Sequence, residues 1–178
     1  ISPVITTSNI PANAVVSDIS VKFNMPHTYV GDVVVNLVAP NGQVLNLVGR
    51  LNDGYGQNGT DNFTNTVISS TSTNAISGAA APRTDKFAAE KRVGFGPTGY
   101  VQTATDWPAM LTTLNGDWKL VMVDNVYGDE GTLVDWQIDI TYNSPILAFN
   151  ATGTITVNQT VVGVASSSPS LCINTPLT

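Results

Sequence analysis

From residue 18 the chain alternates. Ile19, Val21 and Phe23 fall on one side, and Asp18, Ser20, Lys22 and Asn24 on the other. A period of two over that length predicts a half-buried strand. Residues 33–38 (VVVNLV) are apolar on both faces apart from Asn36, which predicts a central strand covered on both sides. The next residues are Ala39, Pro40, Asn41 and Gly42. Asn-Gly favours a tight hairpin with both residues at positive φ, so residues 43–48 should return as the partner strand. Residues 63–68 predict a further strand. Near the end, Trp118, Leu120 and Met122 alternate with Lys119, Val121 and Val123. A last strand begins at Leu133, with Trp136, Ile138, Ile140 and Tyr142 on one face.

The stretches between these segments carry Gly, Asn, Asp, Ser and Pro. Residues 53–62 (DGYGQNGTDN) are a loop by composition. Residues 85–92 predict about two turns of helix, and residues 107–114 another short turn. Five period-two segments without a βαβ rhythm predict an all-β chain folded as an antiparallel β-sandwich. By pattern, residues 1–11 are an entry segment and 12–143 the sandwich. Residues 144–178 are expected to be a linker and the start of a following module. Ile1 opens the chain without Met, which reads as a piece of a longer precursor.

Composition narrows the class. In 178 residues, 42 % are hydrophobic and 11 % charged, a balance that folds rather than stays disordered. The net charge is −6, and only seven residues are Lys or Arg, too few for a phosphate-binding surface. No nucleic acid is expected as a partner. No run approaches the roughly 18 apolar residues of a membrane span. Four of the cations, Arg83, Lys86, Lys91 and Arg92, fall within ten residues. They read as a solvated loop, with a small anion patch as the alternative.

Chemistry is sparse. A nucleophilic triad needs Ser, His and Asp, and His27 is the single histidine. No Ser sits in a Gly-x-Ser-x-Gly elbow. His27 reads as a side chain that hydrogen-bonds loop backbone and anchors the turn of Val30, Gly31 and Asp32, with a pH-sensitive latch as the alternative. Cys172 is alone, so neither an intrachain disulfide nor a zinc site follows. Eleven of the thirteen acids are Asp, a residue that suits turns and that ligates Ca²⁺. Asp32, Asp53, Asp61, Asp124 and Asp129 lie in Gly- or Asn-rich loops and are the candidate calcium ligands. The alternative for Asp32 and Asp129 is that each caps backbone N–H groups of its own turn.

Four segments in order carry a family resemblance. His27-Thr-Tyr-Val-Gly-Asp32 precedes the VVVNLV strand and the Ala-Pro-Asn-Gly turn. Asp61-Asn62-Phe63 follows, then Gly116-Asp117-Trp118-Lys-Leu, then Gly128-Asp129-Glu-Gly131-Thr132-Leu133 with Trp136. Over about residues 12–142 this resembles the P domain that follows the catalytic domain in proprotein convertases and in many bacterial exported proteases. The resemblance implies a jelly-roll type of sandwich and a non-catalytic accessory role in a secreted or surface protein whose catalytic domain is a serine-type or metallo-endopeptidase. Such a domain aids folding and stability and tunes the calcium or pH response. The tail, Pro169 to Thr175, resembles the opening of an Ig-like repeat of Bacteroidetes-type surface proteins.

Two functions of different class stand on these readings. One is the accessory module, whose partners are other domains of the same precursor. The other is a binding or adhesion module, with carbohydrate as ligand. It would use Tyr29, Tyr55, Tyr100, Tyr127 and Trp107 as loop aromatics that stack on sugar rings.

Overall fold

The structure is a computed structural model and describes residues 2–51 and 62–144. The chain divides into two compact units, Ile1–Pro145 and Ile146–Thr178, and all that follows concerns the first. The Ig-like resemblance of the tail lies outside the described residues.

The described chain is an all-β sandwich of two four-stranded sheets. The strands are β1 (Ile5–Thr7), β2 (Val15–Met25), β3 (Val33–Val38), β4 (Val44–Val48), β5 (Phe63–Ser69), β6 (Lys86–Phe87), β7 (Gly116–Asp124) and β8 (Asp135–Asn143). One sheet runs β1-β7-β3-β4 and the other β6-β5-β2-β8. Pairing is antiparallel except between β5 and β6, which is parallel. The five segments read from periodicity are β2, β3 with β4, β5, β7 and β8. β1 pairs with β7 although residues 1–11 carry no strand pattern, because three residues on a sheet edge are too few to show a period.

The core is the space between the sheets. On β2, Ile19, Val21 and Phe23 are fully buried and Met25 nearly so, as the alternation requires. Across from them lie Val33, Val35 and Leu37 of β3 and Trp118 and Leu120 of β7. Phe23 and Phe63 meet at 5.2 Å with rings tilted by 59°, the tilted geometry that aromatic quadrupoles favour.

β3 is buried at every position, as a central strand covered twice should be. The cover on its outer face is the long stretch before β7. Asn36 donates through Nδ2 to the carbonyls of Phe95 and Tyr100, both at 2.9 Å. Its Oδ1 accepts from Asn46 Nδ2 at 2.9 Å, and Asn46 Oδ1 accepts the Arg92 N–H at 3.1 Å. Both amides are fully buried and satisfied, so they pin the covering loop and do not weaken the core. Tyr100 packs beneath on Val38, Val44 and Val121.

Three local expectations change. The β3–β4 hairpin does not use the two-residue Asn-Gly turn. Ala39 N–H donates to Gln43 O and Gly42 N–H to Ala39 O, each at 2.9 Å, so the loop has three residues. Pro40 starts a type I turn and Gly42 alone takes positive φ, at 81°. Residues 85–92 are not helical. Phe87 and Ala89 are buried two apart, a strand period. The backbone there finds partners on neighbouring edges: Ala88 N–H on Asn74 O, Glu90 N–H on Leu47 O and Lys91 N–H on Asn46 O. The short turn expected over residues 107–114 is present as α1 (Trp107–Met110), capped by Asp106, whose carboxylate accepts the Trp107 N–H.

The basic cluster is the third change. Arg83 is 1 % exposed and therefore not solvated, and burial pulls its guanidinium below the usual Arg pKa. Lys86 pairs with Asp18 at 3.0 Å, Lys91 with Asp106 at 2.8 Å, and Arg92 with Glu90 at 3.1 Å. Three cations spent on three separate carboxylates leave no anion patch.

Candidate functional site

The two sheets open at one end into a groove of about 1070 Å³. Strand phase explains its lining. The inward row of β2 runs Ile19, Val21, Phe23, Met25, and its next position is His27. The inward row of β7 runs Trp118, Leu120, Met122, Asp124. Both rows leave the core apolar and end polar, so His27 and Asp124 meet across the mouth of the sandwich with Nε2 to Oδ2 at 3.3 Å.

His27 is buried, and both of its ring nitrogens are committed. Nδ1 accepts the Tyr29 N–H at 3.1 Å, so it carries no proton. The proton of the neutral ring then sits on Nε2 and faces Asp124. Its backbone N–H donates to Asn62 Oδ1 at 2.9 Å, and it bridges to Gly131 across the groove. A Cβ on Gly131 would lie 2.1 Å from His27 Cδ2, so only glycine fits there. His27 thus ties the loop entering β3, the start of β5 and the loop before β8 together. This matches the expected anchoring of the turn, since Tyr29 precedes the 3-10 turn Val30–Asp32. A general base needs a lone pair free to face a substrate. Here one nitrogen is held by an amide and the other by a carboxylate, an orientation that serves structure and not proton transfer.

Of the calcium candidates, Asp124 and Asp129 line the groove and Asp32 lies apart from them. Asp32 is buried, and its Oδ1 accepts from Arg50 Nη2 at 3.1 Å. Its main-chain carbonyl accepts the Asn125 N–H at 3.2 Å. Asp124 Oδ1 accepts the Val126 N–H at 3.0 Å and Oδ2 faces His27. Asp129 Oδ1 accepts the Thr28 hydroxyl at 2.9 Å. Among the described residues neither Asp32 nor Asp129 accepts a backbone N–H of its own turn. Each reaches to another segment, which loop composition does not reveal. Asp53 and Asp61 lie outside the described residues. Among the described residues no three of His, Cys, Asp and Glu group to hold a metal ion.

The aromatic candidates also separate. Trp107 is in the core and Tyr100 beneath the covering loop, while Tyr29 is half-buried and Tyr127 fully exposed. Tyr55 lies outside the described residues. The groove brings together His27, Asp124 and Asp129, and it adds Glu130, which the sequence reading passed over. The signal for the His27–Asp124 pair was present, since continuing each period-two row by one step places both residues inward.

Residues 16–81 match the family model of the proprotein convertase P-domain. The P-domain match covers the His27-to-Gly42 segment and the Asn62-Phe63 start of β5, two of the four segments that carry the resemblance. The Gly116 and Gly128 segments lie beyond it. Neither the curated proteins nor the solved structures gave a match to the chain. The P-domain is a non-catalytic accessory domain, which agrees with the committed imidazole of His27. Among the described residues no helix is long and apolar enough to cross a membrane.

Proposed function

We propose that the sandwich is a non-catalytic accessory domain of a secreted protease precursor, of serine-endopeptidase type, and that it stabilises another domain of the same polypeptide. The observation that carries this is the P-domain match over residues 16–81, which falls on β2 to β5 and the His27 loop. The groove supports it, because it offers an open surface at the end of the sheets. Exposed Val126, Tyr127 and Val134 lie in and beside the loop of Asp129 and Glu130. Apolar side chains left at such a rim suit a docking surface.

The test is an in-frame deletion of residues 15–143 from the full-length gene. The soluble yield and melting temperature of the parent protease are then measured against the intact precursor. The deletion is expected to lower the yield several-fold and to lower the melting point. Unchanged yield and melting would overturn the proposal.

A further inference from the structure

We infer that the groove beside His27 receives an extended polypeptide segment presenting a Lys or Arg side chain. The inference rests on the accessory-domain reading only for the source of that segment, another domain of the same precursor.

Three observations support it. The first is charge. Asp124, Asp129 and Glu130 all line the groove, and among the described residues no Lys or Arg does. Asp124 is held by His27, but among the described residues Asp129 has only the Thr28 hydroxyl on one oxygen. Among the described residues no hydrogen bond or ion pair engages the exposed Glu130 carboxylate. An uncompensated acidic rim over the apolar Leu120 and Met122 fits the aliphatic stem and charged head of a Lys or Arg.

The second observation bears on the kind of cation. Among the described residues the carboxylates form no group that could hold a metal ion. Spread along a rim, they suit a forked or mobile side-chain cation, which pairs with one or two of them.

The third is a strand edge. β1 pairs with β7 only from Gly116 to Trp118. Beyond it, Ser2 takes up the Leu120 main chain, with Ser2 N–H on Leu120 O and Leu120 N–H on Ser2 Oγ, both 2.9 Å. Main-chain groups alternate sides along an antiparallel strand. The N–H and C=O of Met122 and Asp124 therefore point to the same edge as those of Leu120, and no described strand pairs with them there. An extended segment added at this edge would run along the groove.

The test titrates the full 178-residue chain with blocked pentapeptides, acetyl-Val-Thr-X-Thr-Val-amide, where X is Arg, Lys, Gln or Glu. Binding is read by amide chemical shifts in NMR. The Arg and Lys peptides should bind roughly tenfold more tightly than the Gln peptide, about the worth of one charge-assisted hydrogen bond. Their shifts should centre on Met122, Asp124 and Gly131 and weaken with salt. Asp129→Asn together with Glu130→Gln should bring the Arg peptide to the affinity of the Gln peptide while leaving the melting temperature unchanged. Equal binding of the Gln or Glu peptide overturns the inference. So does saturation by none of them at millimolar concentration, or shifts centred away from the groove. Ca²⁺ binding that the Arg peptide fails to displace also overturns it. None of these results bears on the deletion experiment, so the two proposals fail separately.

Discussion

Asp32 shows how one side chain changes meaning between sequence and fold. In sequence it is a loop carboxylate after Gly31, equally suited to a cap or a calcium ion. In the structure it is 3 % exposed and meets the Arg50 guanidinium, which approaches from the far end of β4. Its partner lies 18 residues away, so no local pattern encodes the pair. Asp32→Asn keeps the shape and removes the charge, leaving Arg50 without its counter-ion. A charge-assisted hydrogen bond of this kind contributes about 2 kcal/mol. Urea unfolding of the variant should show a loss of that order, the same in EDTA as in added Ca²⁺. A loss seen only with Ca²⁺ would instead make Asp32 a ligand. The His27–Asp124 pair was more accessible to sequence reading, since strand phase alone places both inward. What phase does not contain is that β2 and β7 lie in facing sheets with their ends together.

At the scale of elements, the joint between β2, β5 and β6 rests on Asp18. Its Oδ1 accepts the hydroxyls of Ser69 and Ser70, each at 2.8 Å, and its Oδ2 accepts from Lys86 Nζ at 3.0 Å. Burial is the largest single influence and raises its pKa. The bonds from Ser70, Ser69 and Lys86 together outweigh it, so the carboxyl titrates below its ordinary value. A depressed folded pKa stabilises the fold above the unfolded value of 3.8. That contribution is lost as pH falls through the folded pKa. Asp18→Asn should therefore destabilise the chain at pH 7 by about 1 kcal/mol. It should also flatten the acid limb of the stability curve, and thermal melts from pH 7 to pH 2 check both. A difference from wild type that stays constant across that range would refute the assignment. The strand pairing itself was legible wherever one face alternates, as in β2, β7 and β8. It was not legible at β1 or β6, which are three and two residues long and held by neighbours. Phe87 and Ala89 show why residues 85–92 misled: helix-compatible residues took an extended path because the edges of β5 and β4 supplied their hydrogen bonds.

For the whole molecule, the buried cluster is drawn from residues 19 to 120, with Ile138 and Ile140 packed against it. A sandwich whose two sheets and described core come from residues 2–144 should fold without residues 145–178. A chain ending at Ser144 should melt cooperatively within a few degrees of the full chain, by calorimetry. A non-cooperative melt would assign part of the stability to the tail. The sequence by itself determined the class of fold and the phase of each long strand, because a half-buried strand must alternate and a doubly covered one must be apolar throughout. It also carried the P-domain resemblance, since loop and turn residues at fixed spacing survive as a linear signature. Tertiary structure alone decided which carboxylates meet cations, which cations are buried, and that an acidic, apolar-floored groove opens beside His27. Those facts depend on side chains distant in sequence and brought together only when the two sheets close, and no period or local composition records that approach.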